Sequence, residues 1–580
     1  MSEDAVGPPV PAAGTPRPAR GVRPDARARP RRSDRSRAAR WWTLAAAVLV
    51  LWSLWGTGIG RGPVLNPAGW PSLRAFAGAA LHPDLSPAFL LRTLDAAAVT
   101  VAFSLLGTVL ATAIGLIGGV LMSEAWWRSA PVARVRRGRT GWLLARIGLG
   151  LPRGIHEAVW GIALLLVLGR DPLVGVLALG IPFGAITAKV FAEIIDETDP
   201  GPHEALIAVG ASRLQAFCHG TLPRIWGDLL AYSFYRFDCA LRSAVILGMI
   251  GVGGLGFELG TAFAGLDYER MWTLILVLIV LGLVCDRWSA SLRRPGAAHE
   301  AEADGTSLCG DGTPVGRRTG SRVALGRRLR VSLAIALLLT LASILHLRLD
   351  LVRLFSPDTW RRAGGMIADA LPPTLPSTWA DLLGASAATL QMSVVAILVG
   401  GVIGVIAAFL GAPGPSAGPL RGAVAALCRI VLLAIRAVSP PVWALLLLFV
   451  VLPGPLPGAL ALGLYNAGVL GRLFTETLET MDRRPVRALQ LLGAGPVQTF
   501  TYGVLPTVTG RFTAYGLYRW EVAIRETVVV GVVGAGGLGR VLESERATFD
   551  HAGMLTAVIA LLLLSLLVDL VSASARRAWR

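Results

Sequence analysis

The stretch YSFYRFDCALRSAVILGMIGVGGLG, residues 232–256, returns as YGLYRWEVAIRETVVVGVVGAGGLG, residues 515–539. Working outward from it, Arg153 to Gly256 lies on Arg436 to Gly539 without a gap. Trp160 meets Trp443, Pro172 meets Pro455, Gly175 meets Gly458 and Lys189 meets Arg472. Glu193 meets Glu476, Gly210 meets Gly493, and Leu222-Pro223 meets Leu505-Pro506. Tyr232, Tyr235 and Arg236 then meet Tyr515, Tyr518 and Arg519. The matches fall on Gly, Pro, Tyr, Trp and Arg, not on shared apolar filler, so the chain is an internal duplication. Each copy carries the same series of spans, so both face the same way. Direct repeats are related by an axis along the membrane normal, which puts a central pathway between them.

The 580 residues are 54% hydrophobic and 16% charged, with mean hydropathy +0.60. Soluble domains carry about 25% charged residues; this composition excludes an ordinary soluble enzyme. The net charge of +18 sits beside apolar runs, the pattern of cytoplasmic membrane loops and not of a nucleic-acid binder. Five scattered cysteines, none in a CxxC, argue against a disulfide framework and a zinc site. Lys189 is the only lysine and lies outside any Gly-Lys-Ser/Thr, so the chain carries no nucleotide-hydrolysing P-loop.

About twelve segments approach the roughly 20 residues a membrane helix needs. They are 41–57, 93–121, 143–169, 171–191, 226–250 and 272–288, then 329–346, 386–411, 423–452, 456–474, 509–533 and 553–571. With both termini inside, the inner loops gather arginine at Arg128–Arg139, at 289–328 and at Arg576, Arg577 and Arg580, as the positive-inside rule requires. The expected organisation is a disordered basic arm (1–40), a first six-span half (41–290), a polar cytoplasmic linker (291–328) and a second half (329–580). The expected fold class is an all-α integral membrane protein.

Between its fourth and fifth spans each half carries a polar insertion on the inside. The first reads Glu204-Ala205-Leu206, then Gly210, then Leu222-Pro223; the second reads Arg487-Ala488-Leu489, then Gly493, then Leu505-Pro506. A short surface helix, a glycine free to take left-handed angles, and a proline that opens the next helix make a mechanical lever.

These features resemble the permease subunits of ATP-binding-cassette (ABC) importers, and more closely the phosphonate importer permeases. The matching stretches are RGIHEAVW (153–160), AKVFAE (188–193), EALIAVGAS (204–212) and 232–256. Their copies include RAVSPPVW (436–443), GRLFTE (471–476) and 515–539. The resemblance implies that the two insertions dock on two separate ATPase subunits, which would hold ATP and magnesium. It makes Glu204, Ala205, Gly210, Leu222, Pro223, Arg487, Ala488, Gly493, Leu505 and Pro506 the coupling residues. It implies a substrate-binding protein outside, a place in the bacterial inner membrane, and no cofactor or catalysis on this chain. The implied solute is a phosphonate-, phosphite- or phosphate-like oxyanion; methionine, a quaternary amine, or secondary transport are the competing readings. This sequence departs from the family pattern in fusing two copies, in Arg487 where a glutamate is usual, in His156 for a proline, and at Ser439-Pro440-Pro441. The two halves are therefore expected to couple unequally.

Arg236, Arg242, Arg519 and Arg525 lie within apolar spans, Arg236 roughly 20 Å beyond Pro223 at helical rise. A guanidinium in lipid costs about 3 kcal/mol or more, so these residues face protein or water. Two readings stand: a cationic oxyanion pathway that includes Tyr235 and Tyr518, or ion pairing. The pairs would be Asp238–Arg242 and Glu521–Arg525 at i,i+4, with Arg236 and Arg519 able to reach the same acids across the halves. Tyr232 and Tyr515 could line that path or pack. Gly251, Gly253, Gly254 and Gly256, with Gly534, Gly536, Gly537 and Gly539, match G-x-G-x-x-G but end a membrane helix. They read as an outer gate or close packing and not as a dinucleotide site. His203 and His219 read as solvated loop residues, and no metal or catalytic constellation is legible.

Overall fold

A computed structural model describes residues 32–128, 135–292, 327–374, 379–412 and 418–579. Most of the expected basic arm, most of the linker and Arg580 lie outside the described residues. The first half comprises α1 (Arg32–Gly56), α2 (Pro87–Met122), α3 (Val135–Gly154), α4 (Glu157–Leu168), α5 (Pro172–Glu197), α6 (Gly201–Ala208), α7 (Leu222–Met249), α8 (Leu255–Ala264) and α9 (Tyr268–Leu292). The second comprises α10 (Arg327–Leu347), α11 (Pro357–Ala370), α12 (Trp379–Gly411), α13 (Pro419–Ala437), α14 (Pro440–Val450) and α15 (Pro455–Thr480). It continues with α16 (Arg484–Leu491), α17 (Leu505–Val530), α18 (Gly537–Ala547) and α19 (His551–Trp579). Helix α1 begins at Arg32, inside the stretch expected to be a disordered arm.

Six of these helices are long and apolar enough to cross a bilayer, and three further candidates are bent pairs. The spans expected at 143–169 and 423–452 are therefore corrected: each is two helices meeting at a corner, of 87° and 95° respectively. At the first corner Pro152 removes a backbone donor, and His156 Nδ1 caps α4 by accepting from Ala158 N at 3.1 Å. At the second, Pro440-Pro441 bars Ser439 from continuing α13. Segments 226–250 and 456–474 form α7 and α15. Neither is long and apolar enough throughout to count among the six, and both carry charges that face a cavity between the halves.

In each half one helix pair packs along its length, α2 on α5 and α12 on α15. Lipid offers no hydrophobic drive between helices, so small residues must let the backbones approach. A Cβ added at Gly180 would sit 2.4 Å from Leu110 Cδ2, and one at Gly400 would sit 2.9 Å from the Gly463 carbonyl oxygen. The halves are contiguous in sequence but interleaved in space. Helix α1 packs on α12 and α19 of the second half, and α10 packs on α2 of the first. Leu49 and Val50 accordingly join Trp520 and Val568 in one apolar cluster, and Leu347 joins the cluster around Phe103 and Leu179.

The glycine-rich endings form matching turns. Gly251, Gly253 and Gly254 have φ of +107°, +125° and +76°; Gly534, Gly536 and Gly537 have +107°, +90° and +70°. A Cβ at Gly256 would lie 1.9 Å from the Val245 carbonyl oxygen, and one at Gly539 would lie 2.4 Å from that of Val528. These residues fold α8 and α18 back onto the preceding helix, which is close packing. Each turn is pinned by a threonine: Leu255 N donates to Thr100 Oγ1 at 2.9 Å and Leu538 N to Thr389 Oγ1 at 2.8 Å. Thr100→Val should strand a buried N–H and lower stability by about 1–3 kcal/mol. The thermal midpoint of the detergent-solubilised protein checks this, and Thr100→Ser should retain the parent value.

Candidate functional site

A cavity of about 490 Å³ lies between the halves, lined by repeat-related positions from both. Helices α5 and α15 supply Lys189 and Glu193 on one side and Arg472 and Glu476 on the other. Helices α7 and α17 supply Tyr235, Arg236 and Arg242 against Tyr518, Arg519 and Arg525. All six residues singled out for the pathway are thus brought to one space. Lys189, Glu193 and Glu476 are exposed, so the cavity is open at the ends of α5 and α15. At the opposite end Ile246 and Val529, themselves repeat-related, pack together with Ala158 and close it. Because equivalent residues line both walls, the insertions that follow α5 and α15 leave the bundle at the same end.

The cavity holds as many carboxylates as cations, so its chemistry depends on which charges are already paired. Arg242 makes a two-pronged pair with Asp238, at 3.2 and 2.7 Å, as the i,i+4 spacing predicts. The matching expectation for Glu521 and Arg525 is corrected. Glu521 instead accepts from Arg576 Nη1 at 2.5 Å, because α19 runs alongside α17 and delivers that guanidinium. Arg525 lies within electrostatic reach of Asp569. The cross-half pairing of Arg236 and Arg519 with Asp238 and Glu521 is also absent. Arg519 is held within its own half: Nε donates to Asn466 Oδ1 at 2.7 Å, and Nη2 lies 3.2 Å from both oxygens of Glu526.

Arg236 differs. It is 9% exposed, its Nε finds no hydrogen-bond partner, and no described carboxylate lies within ion-pair distance. Its guanidinium sits over the rings of Phe183 and Tyr232, 4.7 and 5.6 Å from their centroids. Tyr232 therefore lines the cavity, whereas Tyr515 packs in the cluster around Phe474 and Val508.

Several cavity residues escaped the reading of the sequence. Asp286 pairs with Arg436 across the halves and lies 3.7 Å from Arg472 Nη1. Asp569 is its repeat partner, and Arg153 that of Arg436, yet Asp569 Oδ1 is buried without a hydrogen bond. Continuing the ungapped register past Gly256 and Gly539 aligns the two aspartates, which is the signal that would have found them. Glu157 accepts from Ser243 Oγ at 2.5 Å.

The insertions form α6 and α16, both short and exposed. Glu204, Ala205, Arg487 and Ala488 all face outward. Gly210 has φ +93° and Gly493 φ +81°. In the first insertion Gly210 N donates to Ile207 O and Ala211 N to Leu206 O, each at 3.0 Å. In the second Gly493 N donates to Gln490 O and Ala494 N to Leu489 O, each at 3.0 Å. Both are Schellman endings, which satisfy the last carbonyls of each helix. A single π turn, Phe217–Thr221 or Thr499–Val504, then leads into Leu222-Pro223 or Leu505-Pro506 at the start of α7 or α17. His203 is not the solvated loop residue expected: it is buried, with Nδ1 3.3 Å from Thr221 Oγ1. It seats α6 on the π turn; His219 is exposed. The outward faces leave Val209 81%, Leu491 88% and Leu492 84% exposed.

Residues 129–294 and 400–580 each match the family of binding-protein-dependent transport system inner membrane components. The chain is similar to the phosphate-import permease protein PhnE of Mycolicibacterium smegmatis, 29% identical over 423 residues that cover 72% of this chain and 74% of that protein. It is 32% identical over 262 residues to the phosphite transport system permease protein PtxC of Stutzerimonas stutzeri, covering 44% of this chain and 90% of that protein. A putative cryptic phosphonate transport system permease protein, PhnE2 of Escherichia coli, matches over 118 residues at 36% identity, covering 20% of this chain and 97% of its own length. Two tandem copies of one helical unit, with a charged cavity between them, are thus matched twice by one family. The chain is a multi-pass membrane protein belonging to the inner membrane components of binding-protein-dependent transport systems.

Proposed function

We propose that this chain forms the entire transmembrane pathway of an ATP-driven importer for phosphonate-, phosphite- or phosphate-like oxyanions. The observation that carries the reading is the cavity between the repeats, open at the insertion end, shut by Ile246 and Val529 at the other, and presenting buried arginine. Arginine forks suit oxyanions, because their planar donors match two oxygens at once. Two of the four cavity tyrosines, Tyr232 and Tyr465, already lie under the guanidinium groups of Arg236 and Arg519 and are not free for an aromatic cage around a quaternary amine.

In this reading two ATPase subunits, holding ATP and magnesium, dock on α6 and α16. An outside binding protein delivers the solute at the Ile246–Val529 end, and both termini of the chain lie in the cytoplasm. Closure of the ATPases on ATP draws the insertions together. ATP must then bind the outward-open arrangement more tightly than the inward-open one, since a ligand shifts an equilibrium only by its differential affinity. The added arginines Arg483, Arg484 and Arg487 make the second docking surface more basic than the first.

The test is uptake into proteoliposomes by the chain assembled with its ATPase and binding protein. Labelled phosphate or methylphosphonate should accumulate only with ATP. Accumulation without ATP, or driven by a proton gradient, would show a secondary transporter.

A further inference from the structure

We propose that the pathway holds its oxyanion on Arg236 of the first half, and that Glu526 keeps the repeat-related Arg519 from the same role by neutralising it. The proposal rests on the oxyanion reading above and assigns the two arginines opposite roles. The duplication supplies an internal control. Arg236 and Arg519 occupy the same position of the repeat, on equivalent helices, facing one cavity. Their hydrogen-bond partners differ at two places. Arg519 bonds to Asn466 and Glu526, and the first half has Phe183 and Ser243 at those positions.

The acid has not vanished from the first half; it has moved. Glu157 stands where the second half has Pro440, and it accepts from Ser243 and lies 3.4 Å from His156. Each half therefore keeps one carboxylate at this level, but only the second half spends it on the pathway arginine. A buried guanidinium with an unmet N–H is costly. Stacking over Phe183 and Tyr232 offsets part of that through the ring quadrupoles and leaves Nε unsatisfied. A ligand oxygen is the group that completes it. One free cation at this repeat position also suits transit: a site must bind well enough to load and weakly enough to release. Freeing both members of this repeat-related pair would hold a phosphate-like ion more tightly and slow its release.

The experiment measures ATP-driven uptake of phosphate and methylphosphonate by reconstituted complexes, with equilibrium binding of inorganic phosphate to the solubilised complex. Arg236→Gln should reduce uptake at least about tenfold, the equivalent of one lost charged hydrogen bond. Removing the second-half pair together, Arg519→Gln with Glu526→Gln, should reduce it by about threefold or less, since deleting both partners of a buried pair is near neutral. Glu526→Ser, which copies the first half, should release Arg519, raise phosphate retention about tenfold and slow uptake. Phe183→Asn copies the second half instead. It gives Arg236 Nε a carboxamide partner without removing charge, and should lower uptake even if Arg236→Gln fails to assemble. Equal losses from the two arginine removals, or parental uptake by Phe183→Asn, would overturn the proposal while leaving the oxyanion reading intact. A parent complex that carries neither phosphate nor methylphosphonate would overturn both.

Discussion

Replacing Asp238 with Asn should destabilise the protein by roughly 3–5 kcal/mol, the usual penalty for leaving one partner of a buried ion pair without the other. Asp238 and Arg242 are both largely shielded, with side chains 6% and 15% exposed, and the pair is two-pronged. The amide keeps the shape and removes the charge, so the Arg242 guanidinium remains at mid-helix with no carboxylate. The double change Asp238→Asn with Arg242→Met should recover most of the loss, because a matched apolar replacement removes the desolvation penalty along with the attraction. Thermal unfolding in detergent reads both. A single variant as stable as the parent, or a double variant no better than the single, would mean that water reaches the pair and screens it.

The second large effect concerns the insertions. Gly210→Val and Gly493→Val should each lower the ratio of solute carried to ATP hydrolysed by at least about tenfold while the protein still folds; backbone strain of this kind stores about 1–3 kcal/mol. Both glycines have left-handed backbone, which a β-branched residue resists. A Cβ at either position meets open space, so the penalty is conformational and not steric. The relief is a changed exit from α6 or α16, and that rotates the exposed face away from its docking partner. Asparagine tolerates left-handed angles, so Gly210→Asn and Gly493→Asn should retain coupling. If valine and asparagine behave alike, the turn geometry is not what transmits the motion.

Much of the architecture was legible because duplication and backbone chemistry are local properties of a chain. The ungapped register announced two like halves. The positive-φ glycines and the Leu-Pro starts appear where turn chemistry required them. Two of the expected spans proved to be right-angled pairs, because hydropathy counts apolar residues and is blind to the direction in which Pro440-Pro441 sends the next helix.

Charge pairing divides along the same line. The Asp238–Arg242 bridge was readable, since residues four apart share a helix face. The same rule failed for Glu521 and Arg525, because α19 brings Arg576 to the acid from outside the helix. Asn466 reaches Arg519 from α15, whereas Phe183 on α5 presents only a ring to Arg236. Sequence by itself determined the repeat, the paired insertions and the presence of arginine within the apolar spans. Only the packing of neighbouring helices decided which of Arg236 and Arg519 is left without an acceptor, because a buried guanidinium takes whatever acceptor lies nearest in space.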